Sequence, residues 1–191
     1  MRIALVTETF LPKIDGITVT VCRFLDFLAD HNCETLLLAP DGGPLKYANT
    51  PVVGLRGYNV PLYPELRIVP PVANVYKPLK QFKPDIIHLV SPASMGLAGM
   101  LTARWLKTPV VASYHTDIPG YTNRWGVGFL RGAVWSYFRW IHNHAELNLT
   151  PSAFTMNELE THGFQRVKVW AHGVDTRQFS PAHASASMRS R

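Results

Sequence analysis

Residues 113–121, which read SYHTDIPGY, place a histidine, a threonine and an aspartate where an apolar run ends. The run before them has the composition of a buried strand. An imidazole at this point can hydrogen-bond a sugar hydroxyl or a phosphate, or transfer a proton. The pattern makes His115 a candidate catalytic residue and Tyr114, Thr116 and Asp117 candidate substrate-binding residues. Two alternatives stay open for His115: a ligand of a metal ion shared with Asp117, which would need a third ligand, or a histidine satisfied by neighbouring backbone groups.

A second polar loop, residues 8–16, ends at Asp15 and Gly16, directly before a helical pattern that begins at Ile17. The free amides of a helix start attract anionic groups, and a glycine lets a ligand approach the backbone closely. Asp15 and Gly16 are therefore candidate substrate-binding residues, with an ordinary strand-to-helix turn as the alternative. Ser94 is a similar candidate at a later helix start, or simply the residue that begins that helix.

The glycine pattern excludes one common cofactor. Gly126, Gly128 and Gly132 do not have the G-x-G-x-x-G spacing of a dinucleotide fingerprint, and they follow no strand. The remaining histidines are scattered, without the spacing of a metal site. We therefore expect no cofactor and no bound metal.

Apolar runs and helical patterns alternate along the chain and predict the elements that position these residues. Strands are predicted near residues 2–7, 34–39, 84–90, 109–113, 146–150 and 167–171, and helices near residues 17–28, 72–82, 93–106, 127–144 and 152–162. The strands are continuously apolar, which is typical of a parallel sheet covered on both faces. The prediction is a doubly wound, mainly parallel, Rossmann-like α/β fold. Ligands bind at the carboxyl ends of such strands, so the loops of interest are 8–16, 91–95, 115–126 and 150–152.

Composition narrows the class of partner. The chain of 191 residues is 47% hydrophobic and 17% charged, which allows a sizeable core, and its net charge is +6. A basic excess suits nucleic acid, an anionic membrane or a phosphorylated ligand, but no nucleic-acid-binding motif is present, so we expect no nucleic-acid partner. The absence of a signal peptide, of a long apolar run and of a cysteine framework predicts a cytoplasmic protein.

The predicted helix 127–144 is rich in aromatic residues and arginines. Arg131, Trp135 and Arg139 share one helical stripe, and Arg124 and Trp125 precede the helix. Arginine beside tryptophan suits a membrane interface or an anionic ligand. The alternative is that Trp135 packs under a loop while the arginines are solvated.

Five segments in order carry a family resemblance: RIALVTETFLPKIDGITVTV, KPDIIHLVSP, PVVASYHTDIPGY, LTPS and VWAHGVDTRQFSP. They resemble the N-terminal half of retaining GT-B glycosyltransferases of the family four type. The likeness is greatest to sulfoquinovosyl-diacylglycerol synthase-like and phosphatidylinositol mannosyltransferase-like enzymes. The resemblance implies two Rossmann-like domains across a cleft, with a nucleotide-diphosphate sugar as co-substrate and a lipid or glycan as acceptor. It places Gly16 beside the donor's phosphate and His115 over the transferred sugar.

The resemblance also implies a division of the molecule. Residues 1–175 correspond to the acceptor-side domain, and residues 176–191 to the start of an interdomain linker or a tail. The family's C-terminal arginine and lysine, which hold the diphosphate, have no counterpart in this chain. We therefore expect the donor-binding domain to be absent and the chain alone to be inactive. We expect the enzyme to act at the inner face of an anionic membrane. A non-catalytic module that binds lipid or a partner is the alternative.

Overall fold

The computed structural model of the chain describes residues 1–60, 63–68, 73–174, 176 and 179–183. Its strands are β1 (Arg2–Thr7), β2 (Glu34–Pro40), β3 (Lys46–Tyr47), β4 (Thr50–Leu55), β5 (Tyr58–Val60), β6 (Tyr63–Ile68), β7 (Ile86–Val90), β8 (Val110–Ser113), β9 (Leu147–Thr150) and β10 (Val167–Val169). Its α-helices are α1 (Gly16–Asp30), α2 (Ala73–Phe82), α3 (Ser94–Leu106), α4 (Ile118–Arg124), α5 (Arg131–Asn143) and α6 (Ala153–Thr161). Short 3₁₀ turns cover Gly128–Leu130 and Pro181–His183. The predicted tail, residues 176–191, lies mostly outside the described residues.

Eight strands form one sheet in the order β10-β9-β8-β7-β1-β2-β4-β3. All neighbours pair in parallel except the short β3, which runs antiparallel to β4. β5 and β6 form a separate antiparallel pair. The strand order reverses at β1, which pairs with β2 on one side and β7 on the other. In a doubly wound sheet this reversal opens a crevice at the carboxyl ends, where ligands bind. The predicted fold is confirmed.

Helices cover both faces of the sheet and bury its apolar strands. On one face α1 packs Val21, Leu25 and Leu28 against β1 and β2. On the other face α2, α3 and α5 pack on the same strands and on β7. α3 lies very close to the sheet, because a Cβ atom on Gly99 would stand 2.6 Å from a methyl group of Leu89. These contacts fix the helix starts relative to the strand ends.

The prediction of one uninterrupted helix over residues 127–144 is wrong. The segment begins with a 3₁₀ turn, and α5 starts only at Arg131. The preceding loop contains a helix that the sequence analysis did not predict, α4, whose N-cap Asp117 accepts a hydrogen bond from the Gly120 amide. Gly126 follows α4 with a φ of 71°, a left-handed conformation that favours glycine and separates the two helices.

Candidate functional site

A cavity of about 860 Å³ lies at the carboxyl edge of the sheet, beside the crevice. One wall comes from strand ends and helix starts and carries the polar lining residues Glu8, Thr9, Lys13, Asp15, Gly16, Ser91, Ser94, His115, Thr116 and His172. We call it the polar wall, although the starts of α1 and α3 also contribute Ile17, Ala93 and Leu97. The other wall is apolar and comes mainly from α4, the 3₁₀ turn and α5: Ile118, Tyr121, Trp125, Leu130, Ala133, Val134, Tyr137 and Phe138. Three of the four predicted loops line this cavity, whereas loop 150–152 does not. There Ser152 caps α6 by accepting a hydrogen bond from the Thr155 amide.

Asp15 and Gly16 form the start of α1 at the polar wall. The Asp15 carboxylate accepts hydrogen bonds from the Thr18 amide at 2.8 Å and from the Thr9 hydroxyl at 2.9 Å, and it lies 3.4 Å from the Lys13 ammonium. Partial burial acts to raise the pKa of Asp15, but these donors outweigh it and lower the pKa. A Cβ atom on Gly16 would meet nothing within 4 Å, so the helix start is open to a ligand. Asp15 itself is occupied as the helix cap.

Glu8 is a site residue that the sequence analysis missed. Its carboxylate accepts hydrogen bonds from the amides of Ala93 and Gly96, at 2.8 and 2.9 Å, and from the Ser94 hydroxyl at 3.1 Å. Burial raises the pKa of Glu8, although these hydrogen bonds act to lower it. Glu8 therefore links the start of α3 to the end of β1 through hydrogen bonds. A polar residue directly after a predicted strand is a signal for a site residue, but the helix that Glu8 bonds is more than 80 residues further along the chain.

His115 lies at the polar wall with both ring nitrogens engaged inside the chain. Nε2 lies 2.9 Å from the Ser113 hydroxyl oxygen, and Nδ1 lies 3.1 Å from Nε2 of His172. On its other side, the same Ser113 oxygen lies 3.0 Å from Nε2 of His88. The ring of Trp170 stands edge-on to the His115 ring at 6.0 Å. Sequence analysis found His115 but not these partners.

His115 and His88 are neutral at neutral pH. Burial, together with the nearby His172, lowers the pKa of His115 to about 4 from an ordinary value of 6.5. Burial and the neighbouring His115 lower the pKa of His88 to about 3. A neutral His115 can hydrogen-bond a ligand but brings no positive charge to it. Among the residues that the structure describes, no group of three or more His, Cys, Asp or Glu side chains could hold a metal ion.

Tyr114 and Asp117 were predicted to bind substrate, but neither lines the main cavity. The Tyr114 side chain is buried and packs against Trp135, Phe138 and Phe164, so it does not line the cavity. Tyr114 and His115 follow the end of β8 at Ser113, and the Tyr114 amide continues the strand pairing by bonding the Leu149 carbonyl oxygen. The alternation of side chains along a strand therefore puts Tyr114 opposite His115. Burial and the nearby Asp117 raise the pKa of Tyr114 far above its ordinary value. Asp117 caps α4 and borders a smaller adjoining cavity of about 360 Å³ that His115 and Thr116 share.

The predicted stripe of Arg131, Trp135 and Arg139 is not one surface. Trp135 is only 6% exposed and stacks on His162 with ring centroids 3.8 Å apart, so its assignment to a membrane surface is wrong. The face of α5 that carries Trp135 is covered by the loop after α6. Arg139 lies at that covering loop and donates to the His162 carbonyl oxygen. Arg131 is exposed.

A different apolar surface lies at the mouth of the cavity. Phe129 is 84% exposed and Leu130 is 41% exposed, both in the 3₁₀ turn between α4 and α5. Leu130 also lines the cavity, so the apolar wall reaches the surface there. The exposed Arg124 and Arg131 flank the turn. In the part of the chain that the structure describes, no helix has the length and hydrophobicity needed to span a bilayer.

Comparison with known proteins identifies the family. The model of Glycosyltransferase Family 4 matches residues 14–178. This chain belongs to glycosyltransferase family 4. The family resemblance seen in the sequence is therefore confirmed. Among solved structures, sucrose-phosphate synthase from Thermosynechococcus elongatus matches with a TM-score of 0.68 at 14% identity, covering 98% of this chain and 52% of that one. At this identity the likeness supports the fold alone.

The names of relatives of this family 4 chain refer to different sugars. The GDP-mannose-dependent alpha-mannosyltransferase of Mycobacterium tuberculosis is 36% identical over 100% of this chain and 52% of its own length. The sulfoquinovosyl transferase SQD2 of Arabidopsis thaliana is 31% identical over 100% of this chain and 38% of its own. The alpha-monoglucosyldiacylglycerol synthase of Acholeplasma laidlawii is 28% identical over 64% of this chain and 32% of its own. The chain spans about half the length of the mannosyltransferase relative.

Proposed function

We propose that residues 1–175 are the acceptor-side domain of a retaining glycosyltransferase that moves a hexosyl group from a nucleotide-diphosphate sugar to a lipid hydroxyl. The observation that carries this proposal is the cavity with a polar wall on one side and an apolar wall on the other. A glycolipid acceptor has the same division, because its reacting hydroxyl is polar and its chains are apolar. In this proposal a C-terminal half holds most of the donor, as the family resemblance implies.

The polar wall supports the donor end of the reaction. The amides that begin α1 carry the positive end of the helix dipole, and Gly16 leaves them open to a phosphate or a sugar. His115 and Thr116 face the same space. In the proposed mechanism His115 orients the transferred sugar, and its backbone carbonyl stabilises the positive charge that develops at the anomeric carbon as the bond to the nucleotide lengthens.

The apolar wall supports the acceptor end. Burial of hydrocarbon contributes roughly 25 cal/mol per Å², so one acyl segment along α4 and α5 would hold an acceptor firmly enough to orient its hydroxyl. An oligosaccharide offers no comparable apolar length. The diacylglycerol in the name of the Acholeplasma laidlawii relative is consistent with a lipid acceptor.

Acceptor binding can be tested on this chain alone. With isoleucine methyl groups labelled for NMR, dihexanoylglycerol should perturb Ile17 and Ile118, which line the cavity, and leave the core residue Ile87 unchanged. Maltotriose should perturb none of them. Perturbation of Ile17 and Ile118 by maltotriose, with no response to dihexanoylglycerol, would establish a glycan acceptor and refute the lipid proposal.

A matched pair of variants sharpens this test. Val134→Asp places a charge in the apolar wall and should weaken dihexanoylglycerol binding by at least about tenfold, or roughly 1.4 kcal/mol. Val169→Asp makes the same change at a valine that is exposed on the edge strand and should bind as the unmodified chain does. Equal affinities for the two variants would place the acceptor elsewhere.

We further propose that the domain associates peripherally with an anionic membrane through the 3₁₀ turn. Phe129 and Leu130 can insert into the interface while Arg124 and Arg131 attract anionic headgroups. The position of Leu130 at the cavity mouth would let an acceptor pass from the bilayer into the apolar wall. This surface replaces the stripe that contained Trp135.

A further inference from the structure

Four polar side chains form an unbroken line from the interior to the surface. The line runs from His88 on β7 through Ser113 at the end of β8 to His115, and then to His172 beyond β10. The three donor–acceptor distances along it are 3.0, 2.9 and 3.1 Å. His88 and Ser113 are buried, whereas His172 is exposed. His88 and Ser113 come from neighbouring parallel strands, and His115 lies in the loop after β8. His172 is brought to the site by the chain after β10.

The hydrogen count at Ser113 ties the histidines together. A hydroxyl carries one proton, so it can donate to only one of the two imidazole nitrogens that face it. When it donates to Nε2 of His115, Nε2 of His88 must carry a hydrogen and donate to the Ser113 oxygen. When it donates to His88, Nε2 of His115 must carry the hydrogen instead. A neutral imidazole has one N–H, so the tautomers of His88 and His115 are coupled through the Ser113 hydroxyl.

The two hydrogen bonds of the His115 ring differ in their exposure to solvent. The Ser113 hydroxyl, which bonds Nε2 of His115, is fully buried. His172 is exposed and lies on an irregular segment in which the Gly173 carbonyl oxygen accepts a hydrogen bond from Arg23 of α1, at 2.9 Å, and Trp170 packs against Phe24 of α1. A substrate hydroxyl that reaches His115 would therefore find the buried nitrogen fixed and the Nδ1 side accessible once His172 moves.

We propose that His88 and Ser113 are positioning residues that fix the ring orientation and the tautomer of His115. In this arrangement His172 occupies the outer ring nitrogen of His115 and follows the tautomer that His88 and Ser113 impose, because the exposed His172 ring can donate or accept there. The consequence for catalysis rests on the proposed function, since it assumes that His115 contacts the sugar. The tautomer itself can be measured without any turnover.

The test uses the ¹⁵N-labelled chain at about pH 8, where imidazoles are neutral, and two-bond ¹H–¹⁵N correlation spectra that distinguish the tautomers. The unmodified chain should show His115 as a single tautomer. Ser113→Ala, which removes only the hydroxyl, should shift both nitrogens of His115 toward the averaged values of a free imidazole. His88→Leu should do the same although it does not touch His115, and His88→Gln, which keeps a polar group near the position of Nε2, should restore the single tautomer.

Two further variants separate this proposal from its alternatives. His172→Leu should leave the tautomer single and change only the Nδ1 resonance. His142→Asn alters another buried histidine, one that is bonded to Asn148, and should leave His115 unchanged. An averaged His115 in the unmodified chain, or an unchanged tautomer in both Ser113→Ala and His88→Leu, would overturn the proposal. Averaging in His172→Leu alone would assign the tautomer to His172 and overturn it as well.

The catalytic consequence has its own readout. In a full-length enzyme that contains this chain, Ser113→Ala should lower kcat by about fivefold or more and leave KM for the acceptor nearly unchanged, because the hydroxyl lies behind His115 and not in the acceptor wall. If the single tautomer of the unmodified chain is lost in Ser113→Ala but kcat is unchanged, the positioning role stands and the contact between His115 and the sugar is refuted. In that outcome the proposed function of His115 fails while the hydrogen-bonded line stands.

Discussion

The Nδ1 atom of His115 lies 3.1 Å from the Nε2 atom of His172, a residue 57 positions further along the chain. This contact returns the segment after β10 to the polar wall of the cavity. Trp170 of the same segment packs against the rings of His88 and Phe24. In the proposed two-domain enzyme, this segment would lead to the junction with the donor-binding domain. We therefore expect a movement at that junction to change the hydrogen bond between His172 and His115.

The role of His115 predicts a loss of turnover on its removal. In a full-length enzyme that contains this chain, His115→Ala should lower kcat/KM by at least about tenfold, roughly 1.4 kcal/mol of transition-state stabilisation. His144→Ala is the matched control, because His144 is exposed and its Nδ1 atom bonds the Trp140 carbonyl oxygen of the preceding helix, away from the cavity. A folded His115→Ala enzyme with undiminished kcat/KM would remove His115 from the site.

Because most of the donor is proposed to bind a second domain, we predict that this chain alone binds the donor weakly. The open start of α1 offers amides to a phosphate, but the arginine and lysine that hold the diphosphate in the family belong to the C-terminal half. Calorimetric titration with GDP-mannose and UDP-glucose should give dissociation constants in the millimolar range or no measurable heat. Micromolar affinity for either nucleotide sugar would show that the chain carries its own diphosphate site.

The exposed turn at the cavity mouth predicts salt-sensitive membrane binding. Phe129→Ser should lower co-sedimentation with anionic vesicles by at least about tenfold, since an inserted phenylalanine contributes roughly 1.5–3 kcal/mol. Phe154→Ser is the control, because Phe154 is 80% exposed on α6 and lies away from the turn in sequence. Arg124→Glu with Arg131→Glu should also reduce binding, and added salt should weaken it in the unmodified chain. Equal sedimentation of the two serine variants would exclude this surface.

The buried histidines predict a loss of stability in acid. His142 is fully buried, and its burial lowers its pKa to about 4 from 6.5, although the hydrogen bond to Asn148 opposes the shift. Because the folded pKa lies below the unfolded one, the unfolded chain binds more protons between these values. The stabilisation is complete above about pH 6.5 and is lost as the pH falls toward 4, by up to about 1.4 kcal/mol per pH unit for each such histidine.

Urea unfolding between pH 7 and pH 4.5 measures this effect. The unmodified chain should lose stability steadily on acidification. His142→Asn keeps a donor near the position of Nδ1 but cannot be protonated, so its stability should fall less steeply by up to one proton's contribution. Identical slopes for the two proteins would show that His142 keeps an ordinary pKa in the folded chain.

The sequence by itself determined six of the eight strands of the main sheet and the ends of several helices. Continuous apolar runs specify parallel buried strands, and their alternation with helical patterns specifies the doubly wound order. The caps formed by Asp15 and Ser152 are also local, because each side chain bonds an amide three residues away. The strand alternation that turns Tyr114 away from His115 was available in the sequence too, since side chains along a strand point to alternate faces.

Only the tertiary structure decided which side chains lie at the site. Trp135 belongs to a helix with apolar residues on more than one side, so only the packing of the loop after α6 buried it. Glu8 and His172 acquired their roles through partners more than 50 residues away, Ala93 and His115, to which no short-range pattern refers. Local spacing specifies which residues share an element, but the distances between elements follow from the packing of the whole core. The line from His88 to His172 therefore exists only in the folded chain.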